Sequence, residues 1–576
     1  MRSLCIIFNL FLCLGVTATR LLERNLAYKS PFLDAPQVSI YIFFMIHNLH
    51  KRQIKHVRRQ MQDAGIFDDK HYVTFYGGDF SNSPFIWSGG LNFTHADPFD
   101  TSVLLWTRAV PSPSSGTSQL PDQSVPVCLS YQVFKSADLS GSPVNSGEVF
   151  TSYDVDWTVK IEATGLQPDT RYFYRFFDCT DPTSTSPVGT TRTLPSPNTA
   201  ANRVNGGNPF TLAVFSCSQY QAGWFNAYGY AAELVKPDIF VHLGDYYRTD
   251  ESLRTAHLSG PWITVWYVAD NAWKAGTADS NDTSIGCSFS PSGACFTDRK
   301  LSAVRAYHEW MPIRQVVSND KLRIWRNFQI GRLMDLTMLD TRQYDRDLTD
   351  VYYNTVVNTV SSYENRSLMG AEQEKWFFQT LSESQERGAI WRIVGQQIVF
   401  TQLNLNGTCE PFKDAWDGYR ANRRRVLDHL YGNKISNTVI LAGDSHANWV
   451  SDLACNYNPI SGEGAIGVEF GGTAVTSSSS FGRISQPETV TISQALVAIN
   501  ADLQWSEGFY RGFFSLKVDP RQLNATFYAM NDITNANLNG FASAEFLVKA
   551  GENKLSRPIA GGTVLAGALK TDGPGT

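Results

Sequence analysis

Basic residues are in no excess in this chain: 49 Lys and Arg stand against 54 Asp and Glu, for a formal net charge of −5. That argues against a nucleic-acid binder, which would normally show a basic face, so no nucleic-acid-binding surface is expected. No apolar run is long enough to cross a bilayer comfortably, which argues against a transmembrane segment. No internal repeat is visible. What remains is an ordinary globular composition, 43% hydrophobic and 18% charged, in a chain of 576 residues. That length exceeds one typical core and predicts two domains.

The first residues read as a secretory signal. Arg2 supplies the positive start, Leu4 to Val16 an apolar stretch interrupted by Asn9, and Val16-Thr17-Ala18 the small residues of a cleavage site after Ala18. Residues 1–18 are therefore expected to be a signal peptide and the mature protein to be extracellular. A shorter apolar patch, Ile40 to Ile46, precedes Lys51, Arg52, Lys55, Arg58 and Arg59, which read as a solvated helix face. Five N-x-S/T sequons, at Asn92, Asn281, Asn365, Asn406 and Asn524, are glycosylation candidates. Of nine cysteines, Cys5 and Cys13 lie in the signal, leaving an odd seven. An odd count in a secreted chain flags one thiol with another task, and Cys217 is the candidate. Locality suggests pairing Cys128 with Cys179, Cys287 with Cys295 and Cys409 with Cys455, one of 15 arrangements open to six cysteines.

Residues 19–88 read as an N-terminal extension. From 89 to 198, strand-like runs such as Ser102–Thr107, Val127–Val133 and Arg171–Phe176 alternate with Pro, Ser and Gly turns, the pattern of a small all-β, immunoglobulin- or fibronectin-like sandwich. A Pro-, Asn- and Gly-rich linker follows. From 205 to 550 the pattern is α/β. Thr211–Phe215, a helix over Trp224–Val235 and a strand over Pro237–Leu243 make a βαβ unit, which implies a parallel sheet. Residues 551–576 read as a C-terminal tail.

Functional side chains in such sheets gather beyond the C-terminal ends of the strands. Cys217, Asp245, Asp340, Asp444 and His446 all follow apolar β-runs, so they could meet at one sheet edge. Carboxylates with one imidazole and one thiolate are a metal site by ligand type. Asp340 taken alone reads better as a capping residue. Gly244-Asp245 and Gly443-Asp444-Ser445-His446 combine a sharp turn with hard ligands, and a carboxylate can bridge two cations. A two-metal centre suits phosphoryl transfer, because one ion activates water while both neutralise the phosphoryl oxygens.

These segments carry a family resemblance. Phe215-Ser216-Cys217-Ser218-Gln219, Phe225-Asn226-Ala227-Tyr228 and His242-Leu243-Gly244-Asp245-Tyr246 resemble the opening of the alkaline phosphatase D (PhoD) catalytic domain. Arg305 to Arg314, Met338 to Tyr344, Asp414 to Tyr419, Gly443 to Trp449, and Glu469-Phe470 with Thr473 follow in the family's order. The likeness covers about residues 89–550. It implies a calcineurin-like metallophosphoesterase β-sandwich core flanked by helices, a ferric iron and calcium (Fe3+, Ca2+) centre, and phosphomonoester or phosphodiester substrates. It assigns Cys217, Asp245, Asp444 and His446 as metal ligands and His446 as a catalytic residue. Arg342 becomes a phosphate clamp through its planar fork of donors, although a structural pairing with Asp340 or Asp345 is an equal alternative. A monomer is expected.

Three departures qualify the resemblance. The family continues Gly-Asp-x-x-Tyr, with the Tyr on iron, whereas Arg248 stands in that register and Tyr247 is only nearby. After Trp262–Trp266 the family carries an Asp-Asp-His-Glu-type segment with a ligand and the acid for the leaving group. This chain proceeds directly to Tyr267-Val268-Ala269-Asp270-Asn271, leaving Asn271 as the ligand candidate there. Phe93-Thr94-His95 also runs straight into Ala96-Asp97-Pro98. The expectation is an impaired catalyst, with an inactive homologue that binds a phosphorylated ligand or metal, or a purple-acid-phosphatase-like enzyme, as alternatives.

Overall fold

Alternating burial builds the first part of the molecule. The structure, a computed structural model, describes residues 85–87, 95–111, 127–151, 155–219, 222–245, 262–264, 304, 306–314, 323–347, 360–404 and 415–570. Its first strands are β1 (Phe85–Trp87), β2 (His95–Ala96), β3 (Ser102–Pro111), β4 (Val127–Phe134), β5 (Asn145–Thr151), β6 (Thr158–Thr164), β7 (Arg171–Asp178) and β8 (Gly189–Arg192). Every second residue of β4 is buried, and β7 follows the same rule, as a strand with one solvated face should. The sheet β5-β4-β7-β8 lays Leu129, Tyr131, Tyr172 and Phe176 against Val103, Leu105, Val159 and Ile161 of β3 and β6. A disulfide joins Cys128 in β4 to Cys179 just after β7, with Cα atoms 5.5 Å apart. This is the expected all-β sandwich.

The next elements are β9 (Phe210–Phe215), α1 (Asn226–Tyr230), β10 (Ile239–His242), β11 (Trp262–Thr264), β12 (Arg326–Ile330), β13 (Met334–Met338), α2 (Gly370–Glu386), β14 (Trp391–Gln396), α3 (Arg420–Gly432), β15 (Thr438–Ala442), β16 (Asn448–Leu453), β17 (Gly467–Gly471), α4 (Gln486–Ile499), β18 (Leu503–Glu507), β19 (Arg511–Val518), β20 (Gln522–Met530), β21 (Gly540–Lys549) and β22 (Ala568–Leu569). Among the described residues they form two sheets rather than one open sheet. One runs β11-β10-β9-β19-β20-β21 and continues through β2 into β3 of the first sandwich. The other runs β12-β13-β14-β15-β17-β16-β18-β22. Strands β9, β10 and β11 are mutually parallel, as are β13, β14, β15 and β17.

Both faces of these strands are buried, which is why they are rich in apolar residues on both sides. Leu212 and Val214 of β9 and Val241 of β10 meet Ile393, Val439 and Leu441 in the core between the sheets. The intervening Ala213, Phe215 and Phe240 face α1 and the helical turn at Tyr307. Val394 and Ile440 face α2 and α3 through Phe377, Leu381, Val426 and Leu430. The helix expected over Trp224–Val235 is α-helical only to Tyr230 and ends in a π turn, Ala231–Val235. Residues 551–570 are not a loose tail: Leu555, Ile559, Ala566 and Ala568 are buried, and β22 adds to the second sheet.

Charge ties the sandwich to the rest. Arg314 donates its backbone N–H to Asp97 Oδ2 at 2.6 Å and its guanidinium to Glu162 and Ser102. Arg326 binds Asp97 Oδ1 at 2.6 and 3.0 Å. Asp97 is fully buried and its carboxylate is paired with the Arg326 guanidinium, so removing that side chain would leave a charge that burial makes costly.

Candidate metal centre

Three strand ends converge where the two sheets meet. Cys217 follows β9, Asp245 follows β10, and Asp444 with His446 follows β15 of the opposite sheet. Glycine makes the approach close. A Cβ on Gly443 would lie 2.9 Å from that of Ser216 and 3.1 Å from that of Leu243, too near for any larger residue. The β9 and β10 ends are stitched together by Cys217 N–H to Gly244 O (3.1 Å) and Ser218 N–H to Asp245 O (2.7 Å).

One ligand atom from each of Cys217, Asp245, Asp444 and His446 lies within 4.8 Å of the others. Cys217 Sγ is 3.7 Å from Asp245 Oδ2. All four residues hold a left-handed backbone, with φ of 58°, 55°, 51° and 54°. Such φ values are uncommon for non-glycine residues and cost of order 1–3 kcal/mol each. Each is held by its surroundings: the Cys217 carbonyl accepts the Ser477 hydroxyl at 3.0 Å, and the Asp444 carboxylate pairs with Nη2 of Arg342. Burial pushes the His446 imidazole below its ordinary value, opposed by Asp245, furthered by Arg511 and opposed by a backbone hydrogen bond at Ser478. The neutral ring is the form that binds metal. A thiol, two carboxylates and an imidazole this close together are a donor set that a metal ion fits.

The other sequence candidates divide. Arg342 has a 2% exposed side chain and reaches Asp444 at the rim of the cluster. Asp340 stays outside the cluster. Its Oδ1 accepts the N–H groups of Arg342 (2.9 Å) and Gln343 (2.8 Å), so it caps the turn that carries Arg342. Tyr247 and Asn271 lie outside the described residues, as do Cys287, Cys295, Cys409, Asn92, Asn281 and Asn406. Cys217 is buried and in no disulfide. Cys455 is exposed and forms no disulfide among the described residues, its expected partner Cys409 lying outside them; it sits on the turn after β16, where Tyr431 accepts its N–H. Asn365 is exposed, and Asn524 is half-buried within β20.

Residues missed at the sequence level brace this site. Asn448 donates to Glu507 Oε2 (2.9 Å) and accepts from Thr473 N–H (2.8 Å). Arg511 donates to Ser477 O at 2.8 Å, and burial brings its guanidinium down to about 10. Asn448 and Thr473 stand inside the quoted motifs, so a signal was present. Glu507 and Arg511 had none.

The chain matches the family model for PhoD-like phosphatases over residues 212–247 and 245–527. It matches the N-terminal domain of PhoD-like phosphatases over residues 91–195. The chain belongs to the PhoD-like phosphatase family. Alkaline phosphatase D of Bacillus subtilis (strain 168) is 30% identical over 536 residues, covering 86% of this chain and 85% of that protein. A solved PhoD structure is 29% identical with a TM-score of 0.67, covering 83% of this chain and 93% of that one. A purple acid phosphatase from yellow lupin (Lupinus luteus) seeds shares the fold at 11% identity and a TM-score of 0.50, covering 79% of this chain and 73% of its own. PhoD membership makes the chain a phosphoric ester hydrolase by family. Among the described residues, no helix is long and apolar enough to cross a membrane.

Proposed function

We propose that this PhoD-like chain is a secreted, metal-dependent hydrolase of phosphate esters whose metal ligands include Cys217, Asp245, Asp444 and His446. The observation that carries the reading is their ligand atoms lying within 4.8 Å of one another. The thiolate and imidazole suit iron, and the carboxylates suit both iron and calcium. When bound, such ions supply an activated water and neutralise phosphoryl charge. The chain's own residues do the rest. Arg342 presents a planar donor fork at the rim, suited to phosphoryl oxygens. Asp340 fixes the turn beneath it. His446, held neutral by burial, is the ligand beside Asp444. Secretion is supported by the Leu4–Val16 signal pattern and by the disulfide between Cys128 and Cys179.

Turnover by the chain as written is proposed to be low, because Arg248 occupies the family's Tyr register and the Asp-Asp-His-Glu-type segment is absent after Trp266. That absence also favours a second reading, a homologue that binds metal and a phosphorylated ligand without turnover. Metal analysis together with hydrolysis of nitrophenyl phosphate tests both. Bound metal with slow turnover fits the first reading, and bound metal with none at all fits the second. Full metal occupancy in Asp245→Ala would refute the ligand assignment.

A further inference from the structure

Directly behind the Cys217–Asp245 pair lies a buried polar network that the proposed function leaves unused. Ser218, Tyr228 and His242 are at most 1% exposed. The Ser218 hydroxyl contacts the Tyr228 hydroxyl. His242 Nε2 lies 3.2 Å from Ser218 Oγ and 3.0 Å from the Tyr228 hydroxyl. Its other ring nitrogen, Nδ1, accepts the N–H of Gly244 at 3.3 Å. An accepting Nδ1 puts the ring proton on Nε2, so a neutral His242 satisfies both sides at once. Burial disfavours the charged ring.

We propose that Ser218, Tyr228 and His242 are positioning residues of the metal centre, whose network fixes the spacing of Cys217 and Asp245. This rests on the proposed metal site. Ser218 immediately follows Cys217, and Gly244 immediately precedes Asp245, so the network grips the chain one residue away from each ligand. The two grips lie just beyond the ends of different strands, β9 and β10, and His242 spans them. Cys217 and Asp245 both hold left-handed backbones, a conformation that persists only where surroundings over-determine it. Packing alone does not call for these polar groups. The Tyr228 ring already packs tilted against Phe215, centroids 4.8 Å apart, and edge-on to Phe225 at 5.7 Å, and phenylalanine would fill the same space. Keeping three polar groups in an apolar core is costly unless they are mutually satisfied, and satisfied networks orient ligands at metal sites.

The test is titration of the full chain with cobalt(II), followed by its thiolate charge-transfer absorption, alongside thermal melting. Tyr228→Phe and Ser218→Ala are compared with the wild type. Each is expected to weaken cobalt binding roughly 10–100-fold and to shift the thiolate band, at temperatures where the variant remains folded. The double variant is expected to weaken binding little more than either alone, since the residues act as one unit. Unchanged affinity and an unchanged band, with only a lower melting temperature, would overturn the positioning role while leaving the metal site intact. A wild type that binds no cobalt would overturn the metal site itself and the inference with it.

Discussion

The thiol of Cys217 and the carboxylate of Asp245 stand 3.7 Å apart although 28 residues separate them in the chain. The register of two parallel strands sets that distance. Phe215 in β9 is aligned with His242 in β10, so Cys217 and Asp245 leave the sheet side by side, two and three residues later. Asp444 and His446 arrive from the other sheet, across the close approach at Gly443. The cluster is thus a consequence of stacking two sheets whose parallel strands end at the same edge.

Arg342 should act on substrate rather than on metal. Its guanidinium already reaches a carboxylate at the rim of the cluster, where a phosphate could take it up. Arg342→Lys keeps the charge and loses the bidentate fork. Metal content is expected to stay near the wild-type level, while kcat/KM for nitrophenyl phosphate falls by about 10²-fold or more. Steady-state kinetics with elemental analysis on the same sample checks this. Loss of metal in Arg342→Lys would make the residue structural.

Stability should fall on acidification. Burial holds the His242 imidazole down at about 3 from an ordinary 6.5. Below about 6.5 the unfolded chain takes up a proton that the folded protein does not. The contribution is therefore complete above about 6.5 and is lost progressively as pH falls toward about 3. Denaturant unfolding at a series of pH values reads the slope. His242→Asn should start less stable at neutral pH but show a shallower decline.

The first sandwich should depend on its disulfide. Linking Cys128 to Cys179 closes a loop of 51 residues, which in the chain-entropy account contributes about 4 kcal/mol. Cys128→Ala is expected to lower the melting temperature markedly. Peptide mapping of the oxidised protein should find this bridge and should find Cys217 outside any disulfide.

Restoring an Asp-Asp-His-Glu-type segment after Trp266, with Tyr in the third position after Asp245, should raise turnover by at least about 10²-fold, the usual scale for a general acid. Both versions would be compared with iron and calcium at alkaline pH. Equal and high activity would mean that other residues supply the acid.

Much of this was legible because apolar runs and strand ends coincide. The strands β9, β10 and β15 are dominated by apolar residues, and each candidate ligand brought into the cluster follows one of them by a few residues. The pairing of strands from two different sheets was not legible, since register across sheets is set by core packing such as Val214 with Val439 and leaves no local pattern. Helix α4 was overlooked although Ser485 and Glu488 form a capping box with Pro487 between them, a signal that sequence does carry. The role of Asp340 turned on one oxygen accepting two backbone N–H groups, which only coordinates reveal. Tyr228 and His242 stood inside recognisable motifs, yet their contact is long-range and polar, and spacing does not announce it.

The most direct test of the metal centre is anomalous diffraction at the iron absorption edge, from crystals of this chain grown with iron and calcium. The account predicts an iron peak within bonding distance of Cys217 Sγ, Asp245 and His446, with Asp444 in the same cluster. An iron peak elsewhere, or none while Cys217 and Asp245 keep their present spacing, would contradict it.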